Sequence, residues 1–378
     1  MTKSTSKAEI VPVNFIKHEN SDFLSWTKIW GYTYVGNTES WKGVTHAVFF
    51  PPDSLLDTTR SEFAEFAKDA KYDENSLPCK PGKYYRVKSK NIRGLQSYGF
   101  AIPAPASAVE GEDWAERLGV KHYESELIQT TEKKGKGLFI GGEVAKAPNN
   151  INACYYDIDS FLRFYKEVFD ENETVLAVEK IEGCNGCYVY SDGEYHCRSR
   201  NEWKREFASP PKITLEELVA KIGDEQKAKD VYNNKIVNFK PPQNLWWRVL
   251  RSNEPLQKFL KDHPGYIVYG EVYSHVKNFV YDGDGTPKFR AFDIRYDGRF
   301  MNIKEAMELG NSLEWAPVLD ESRLDLEKLT VLATGNTTLG KQNHIKEGII
   351  VRGLEEKWNY YCGRNILKLK NPRYLERG

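Results

Sequence analysis

The sequence has no excess charge of either sign: 54 lysines and arginines stand against 54 aspartates and glutamates, for a formal net charge of zero. A nucleic-acid partner is therefore not announced by bulk charge, and any basic surface must be local. No stretch of about 18 apolar residues occurs, the least that a membrane-crossing helix needs, so no membrane partner is expected. The N-terminus, MTKSTSKAEI, lacks the apolar core of a secretory signal. Glycine-rich phosphate loops of both common kinds are missing, as are an HExxH metal pattern and any internal repeat. Cysteine is sparse: Cys79, Cys154, Cys184, Cys187, Cys197 and Cys362 in 378 residues. Six thiols in a chain long enough to build its own core fit a reduced protein rather than a disulfide scaffold. The missing membrane span and signal point to a cytoplasmic protein, the length of 378 residues suggests two or three domains, and a monomer is expected.

What is there reads as β-rich through the first hundred residues. IVPVNFIKH, TKIWGYTYVG and THAVFFPPDSLL are short, β-branched or aromatic, and broken by Gly, Pro and Asn. That spacing suits a small barrel or sandwich. Residues 80–93, KPGKYYRVKSKNIR, carry six basic side chains and no acid. Arg86, Lys88 and Lys90 recur at period two, so one strand would set all three on one face beside Tyr84 and Tyr85. Such a face suits a nucleic-acid backbone and its bases. Equally, it suits a solvated edge strand kept from aggregating by lysines. IPAPASAVEGE at 102–112 opens a linker, and TEKKGKG at 131–137 is a second loose, basic piece. The chain then divides into an N-terminal unit over 1–105, a linker over 106–135 and a second domain over 136–378.

In the second domain, DIDSFLRFYKEVF (157–169) has helical apolar spacing behind an Asp, and ETVLAVEKIEG reads as a strand running into a turn. GCYVYSDGEYHCRSR alternates around Asp192-Gly193, a strong hairpin signal. TLEELVAKIG and LQKFLKDH look helical; GYIVYGEVY, FRAFDIRYDGRF, EGIIVRGLE and ILKLK look like strands. Strands and helices so mixed predict an α+β fold with antiparallel sheets. Cys184-x2-Cys187 with Cys197 invites a zinc reading, but no second CxxC pair follows and His196 falls on the opposite strand face from Cys197. A hairpin with buried thiols is the better account.

Chemistry concentrates at Glu179-Lys180-Ile181-Glu182-Gly183. A lysine ending an apolar strand is held partly out of water, which favours a neutral, nucleophilic amine. Gly183, three residues on, would let the backbone turn closely past a ligand. Alone, the motif is better explained by a solvated lysine before a turn. Downstream follow Arg200 in CRSR, Glu271 in YGEVY, Phe292 in FRAFDI, Glu347 in EGIIVR, and Lys368 with Lys370 in LKLKN. Lys368 and Lys370 project to one strand face, a costly arrangement unless anions such as phosphates meet them. Glu271 and Glu347, set in apolar strands, call for a cation, a metal or a ribose. Phe292 is either plain core or a stacking platform for a base.

As an ordered set these residues resemble the signature of the covalent nucleotidyltransferases, which comprise ATP-dependent ligases and capping enzymes. EKIEGCNG is similar to the form found in the RNA ligase 2 and editing-ligase group. Twenty residues separate Lys180 from Arg200 and twenty-one separate Glu347 from Lys368, as in that family. The resemblance spans roughly 150–372. The N-terminal segments HENSDFLSWTKIWGY and VFFPPDSLL look like the OB-fold domain of Deinococcus-type RNA ligases. The resemblance thus implies an N-terminal OB-fold β-barrel followed by a nucleotidyltransferase domain of antiparallel sheets flanked by helices. It implies an ATP-dependent RNA ligase that seals RNA or an RNA-containing nicked duplex with Mg²⁺ or Mn²⁺. Lys180 would carry AMP, Glu179 abut the adenine through its backbone, and Phe292 stack on it. Arg200 and Glu271 would lie near the phosphates and ribose, Glu347 and Glu271 serve the metal, and Lys368 and Lys370 contact the α-phosphate. Two departures stand out: Ser274 where relatives often have glycine, and Cys184 for the common threonine. Only eight residues follow Lys370, too few for the C-terminal barrel of a DNA ligase or capping enzyme. A non-catalytic relative would lack a charged motif residue, and none is missing. A fragment of residues 130–378 is expected to fold alone.

Overall fold

The structure is a computed structural model that describes residues 8–123, 143–210, 212–274, 279, 281–282, 284–341 and 343–377. The TEKKGKG piece lies outside the described residues. The N-terminal half supplies β1 (Glu9–Pro12), β2 (Ile16–Lys17), β3 (Leu24–Ile29), β4 (Tyr32–Asn37), β5 (His46–Phe50), β6 (Ser54–Asp57), β7 (Tyr84–Arg86), β8 (Ser89–Ile92), β9 (Leu95–Tyr98), β10 (Phe100–Pro103) and β11 (Lys121–His122). They form four small sheets, ordered β1-β5-β10, β11-β6-β7, β2-β3-β4 and β8-β9, none of them closed on itself. Of the linker expected over 106–135, the described part, 106–123, packs against these sheets. Trp114 and Leu118 are buried with Ile10, Val48 and Phe50, and β11 pairs with β6.

The second half holds β12 (Asp159–Ser160), α1 (Phe161–Val168), β13 (Thr174–Lys180), β14 (Gly183–Ser191), β15 (Glu194–Arg198), β16 (Trp203–Lys204), α2 (Leu215–Ile222), α3 (Glu225–Tyr232), α4 (Leu245–Ser252) and α5 (Glu254–Asp262). Beyond them come β17 (Ile267–Tyr273), β18 (Lys288–Tyr296), β19 (Arg299–Phe300), α6 (Ile303–Leu309), β20 (Val318–Arg323), α7 (Leu326–Ala333), β21 (Gly348–Gly353), β22 (Ile366–Lys370) and α8 (Pro372–Glu376). Two sheets organise them, one ordered β12-β22-β21-β13-β20 and the other β16-β15-β14-β17-β18-β19. Every pairing is antiparallel except β12 with β22. This is the expected α+β arrangement.

Local sequence explains the elements. The hairpin of β14 and β15 turns at Asp192-Gly193, both with positive φ. α2 starts on a capping box, Thr214 with Glu217, and ends on Gly223 in the left-handed region. The helix expected over 157–169 is shorter. Asp159 and Ser160 stay extended to pair with Leu367 and Lys368, and the Ser160 hydroxyl bonds the Tyr32 hydroxyl at 2.6 Å rather than capping α1.

The halves share one core. Phe49 and Tyr32 of the N-terminal half lie in the same buried apolar cluster as Phe161, Ile349, Leu367 and Leu369 of the second half. Polar ties run across it: Arg163 to Glu9 at 3.1 Å, and the Ser89 hydroxyl to the Pro372 carbonyl at 2.8 Å.

Candidate active site

The strand period places the site. In β21 and β22, Ile349, Val351, Leu367 and Leu369 enter the shared core, so Ile350, Arg352, Lys368 and Lys370 face the other way. In β14 and β17, Cys184, Tyr188, Val268 and Val272 pack beneath α4 and α5, while Asn185 and Glu271 face outward. The two outward faces enclose a cavity of about 480 Å³. Lys180 ends β13 in one sheet and Gly183 begins β14 in the other, so the KIEG segment is the joint between the walls. Lys180, Glu179, Gly183, Arg200, Glu271, Phe292, Glu347, Lys368 and Lys370 all line this cavity.

Its charges interlock. Lys180 Nζ is 2.5 Å from the Glu347 carboxylate, and Lys370 Nζ is 3.8 Å from the same group. Lys370 also donates to Asp53 at 2.8 Å. Burial alone would push Lys370 down, but Asp53 and Glu347 hold it above the usual lysine value. Lys368, 3.6 Å from Asp157, is pushed down by burial. Glu347 is buried, which raises a carboxyl, yet Lys180 and Lys370 bring it below the usual value. Its backbone is fixed as well: Gly348 has φ +151 and approaches the Leu369 carbonyl so closely that a Cβ would lie 2.2 Å from it.

Two carboxyls go the other way. Burial, then the charge of Glu347, lifts Glu182 to about 8, and burial lifts Glu271 to about 7. Among the described residues no group of three or more His, Cys, Asp or Glu is arranged to hold a metal by itself. Carboxyls raised by burial and mutual repulsion nevertheless suit a divalent cation, which magnesium-type sites hold with one or two carboxylates, waters and phosphate oxygens.

Several expectations take a different physical form. Gly183 lines the cavity, but its φ is not positive, and a Cβ there would lie 2.3 Å from the Val272 carbonyl of β17. The glycine admits the neighbouring strand. The Glu179 side chain is buried and bonded to Thr337 and Thr338, with the Thr338 N–H at 2.8 Å, and its own N–H donates to the Pro317 carbonyl at 2.8 Å. Phe292 borders the cavity with Tyr156 packed against it, ring centroids 4.8 Å apart.

Arg86, Lys88 and Lys90 do not share a strand face. Arg86 and Val87 bond toward β6, where Val87 donates to the Ser54 carbonyl, and the chain resumes as β8 at Ser89 in another sheet. Arg86 is buried and reaches the cavity, bonded twice to Asp53 at 2.9 and 2.7 Å and lying 3.9 Å from the Tyr123 ring centre. Lys88 is half-buried and Lys90 exposed.

Sequence reasoning missed four residues. Asp53 was an acid between two apolar strands in FFPPDSLL, which was its only signal. Glu182, inside the lysine motif, accepts from the Tyr374 hydroxyl at 2.6 Å. Asn371 caps α8, and its N–H donates to the Glu347 carbonyl at 2.8 Å. Tyr374 lines the cavity from α8. The last two follow the LKLK strand too closely for a periodicity argument to notice.

The thiols of Cys187 and Cys197 are buried and pushed up by burial, Cys187 to about 12. They behave as core, as the hairpin reading expects.

Comparison with known proteins adds three findings. A family model described as RNA ligase matches residues 173–370. No curated protein sequence matches significantly. Among solved structures, a mutant Naegleria gruberi RNA ligase with ATP and Mn superposes with TM-score 0.71 at 17% identity, covering 98% of each chain. The same enzyme with pyrophosphate gives 0.71 at 17%, again over 98% of each chain. Another mutant with AMP and Mn gives 0.70 at 16%, over 99% of each. At this identity the likeness establishes the fold.

Proposed function

Because the chain belongs to the RNA ligase family, we propose that the cavity around Lys180 performs ATP-dependent joining of RNA ends. Lys180 attacks the α-phosphate of ATP; the Nζ–P bond forms, the bond to the β-phosphate oxygen breaks, and pyrophosphate leaves. The AMP then passes to a 5′-phosphate end, and a 3′-hydroxyl displaces it to seal the strand. The observation that carries this reading is the Lys180 amine at the joint of two sheets, in a space of about 480 Å³ edged by Arg86, Arg200, Lys368 and Lys370. Each displacement builds charge on phosphate oxygens, and fixed cations stabilise that charge where it forms.

Within this reading Lys368 and Lys370 contact the α-phosphate and Arg200 the phosphates or ribose. Phe292 stacks on the adenine while the Glu179 backbone meets its edge. Glu347 and Glu271 hold Mg²⁺ or Mn²⁺, partly through water. When bound, the metal supplies charge neutralisation for the phosphates. The solved relatives carry ATP, AMP, pyrophosphate and Mn in their names, which fits the same course. We retain the N-terminal half as an OB-type accessory unit of the Deinococcus kind, related to the editing-ligase group, with Lys90 and Lys88 offered to an RNA backbone. The partner is a nicked duplex containing RNA and the working form a monomer. None of the six cysteines forms a disulfide, which suits a reducing compartment such as the cytoplasm.

The test uses α-labelled ATP with metal. Wild-type protein forms a labelled lysyl adduct, and Lys180→Ala forms none yet still joins a nick that already carries AMP. Labelling that persists in Lys180→Ala would remove the nucleophile assignment. Glu347→Ala and Lys368→Ala each lower sealing by more than about a hundredfold, the scale of a lost transition-state contact. On nicks with RNA or DNA at each side, the 3′-hydroxyl strand must be RNA, since a 2′-hydroxyl is what distinguishes the two. Equal sealing of an all-DNA 3′ strand would favour a DNA ligase.

A further inference from the structure

Asp53 stands apart from the motif residues in sequence and touches two cations of the cavity. Its carboxylate takes two bonds from Arg86, at 2.9 and 2.7 Å, through one oxygen and one from Lys370, at 2.8 Å, through the other. It is buried, and its backbone sits at φ +73, in the left-handed region that a residue with a side chain rarely adopts. Such strain persists only where the surroundings enforce it. They do so here: the Asp53 N–H donates to the Val87 carbonyl at 2.9 Å, and its carbonyl accepts from the Tyr123 N–H at 2.8 Å. Tyr123 in turn lies against the Arg86 guanidinium, 3.9 Å from the ring centre. A buried carboxylate on a strained, doubly pinned backbone is a rigid anchor rather than a surface counter-ion.

Lys370 needs such an anchor. It ends β22 on a flexible four-carbon stem, and its alternative partner, Glu347, is also the partner of Lys180. Without Asp53, Lys370 Nζ would close on Glu347 and compete with the Lys180 amine for one carboxylate. With Asp53 present the longer distance, 3.8 Å, is the one to Glu347.

We propose that Asp53 is a positioning residue for the reaction: it draws Lys370 away from Glu347, holds it with Arg86 as a preformed pair of cations at the edge of the cavity, and so makes the N-terminal half part of the adenylylation site. The inference rests on the ligase reading above and adds to it a carboxylate from outside the matched residues 173–370. Asp53 touches no reacting atom; it acts through Lys370.

The experiment measures the rate of lysyl-AMP formation from labelled ATP in the full chain. Asp53→Asn keeps the shape and an acceptor for Arg86 but loses the charge that holds the ammonium. It slows labelling at least about tenfold, the size of one misplaced charge contact. Asp53→Glu restores a carboxylate one methylene further out and recovers at least about a third of the wild-type rate, while Asp53→Ala does not. In a Lys370→Ala background, Asp53→Asn changes the remaining rate by less than about twofold, since residues acting through one another are not additive. Melting temperatures are read beside each rate. If the Asn variant folds poorly, the Glu variant alone still decides, because a purely structural role predicts that its rate follows its stability. Wild-type rates in folded Asp53→Asn, or equal rates in the Asn and Glu variants, overturn the proposal. No labelling of the wild type would instead overturn the ligase reading.

Discussion

Ser274 is buried at the end of β17 with φ +68, a conformation glycine adopts without cost and serine does not. The departure from the family pattern noticed in the sequence is thus a strained residue. Ser274→Gly should raise stability by about 1 kcal/mol, read as a higher melting temperature. A lower one would mean that the hydroxyl itself holds the turn. Gly183 makes the opposite case. With a Cβ only 2.3 Å from the Val272 carbonyl, Gly183→Ala must push β14 from β17. We expect a loss of about 1–3 kcal/mol and slower lysyl-AMP formation, because that joint carries Lys180. Denaturant titration with the labelling assay checks both, and a neutral Ala would show that the strands yield. The sequence marked Gly183 as a place of close approach, and the neighbour the fold brings there is a strand. A glycine advertises close approach, not what approaches.

At the scale of elements, Asp293 ties three together. It is fully buried on β18 and accepts from Arg352 of β21 at 2.9 Å, from Arg364 before β22 at 3.0 Å, and from the Tyr156 hydroxyl. Glu356 closes the ring with 2.7 and 2.5 Å bonds to the two arginines. Asp293→Ala leaves two buried guanidinium groups short of charge and should cost about 3–5 kcal/mol. A change under about 1 kcal/mol in chemical denaturation would show that Glu356 suffices. FRAFDI was legible as a strand because it alternates, and EGIIVR because it is a short β-branched run. Their coupling was not, since Arg364 and Glu356 sit in an aperiodic connection. The β14–β15 hairpin was legible down to its turn. Its thiols give a pH test. Cys187 has a folded value of about 12 against an ordinary 9.0, so it binds its proton more tightly when folded. Stability from that group is complete below pH 9 and is lost as pH rises toward 12. Between pH 9 and pH 12 the melting temperature of the wild type should fall more steeply than that of Cys187→Ala, with Cys187 unlabelled by thiol reagents at pH 8 while Cys79 reacts. Alkylation of Cys187 in folded protein would contradict its burial.

For the whole molecule, the shared core changes what a truncation should do. Sequence reasoning separated two independent domains, because composition shows where chain loosens but not which apolar faces meet across it. Removal of the N-terminal half would uncover Phe161, Leu367 and Leu369, and would strip Lys370 of Asp53. A fragment of 130–378 should therefore aggregate or melt far below the full chain rather than fold alone, as light scattering and thermal denaturation would report. A soluble, cooperatively folding fragment would refute this.

The two faces of β22 carry one more implication. Its leucines lock the halves together while its lysines, one residue out of step, line the cavity. A slip of one position would put ammonium groups into the apolar seam and leucines into the cavity. One register therefore sets both faces: a strand that has closed its leucines on the core has, by the same event, turned its lysines toward the cavity.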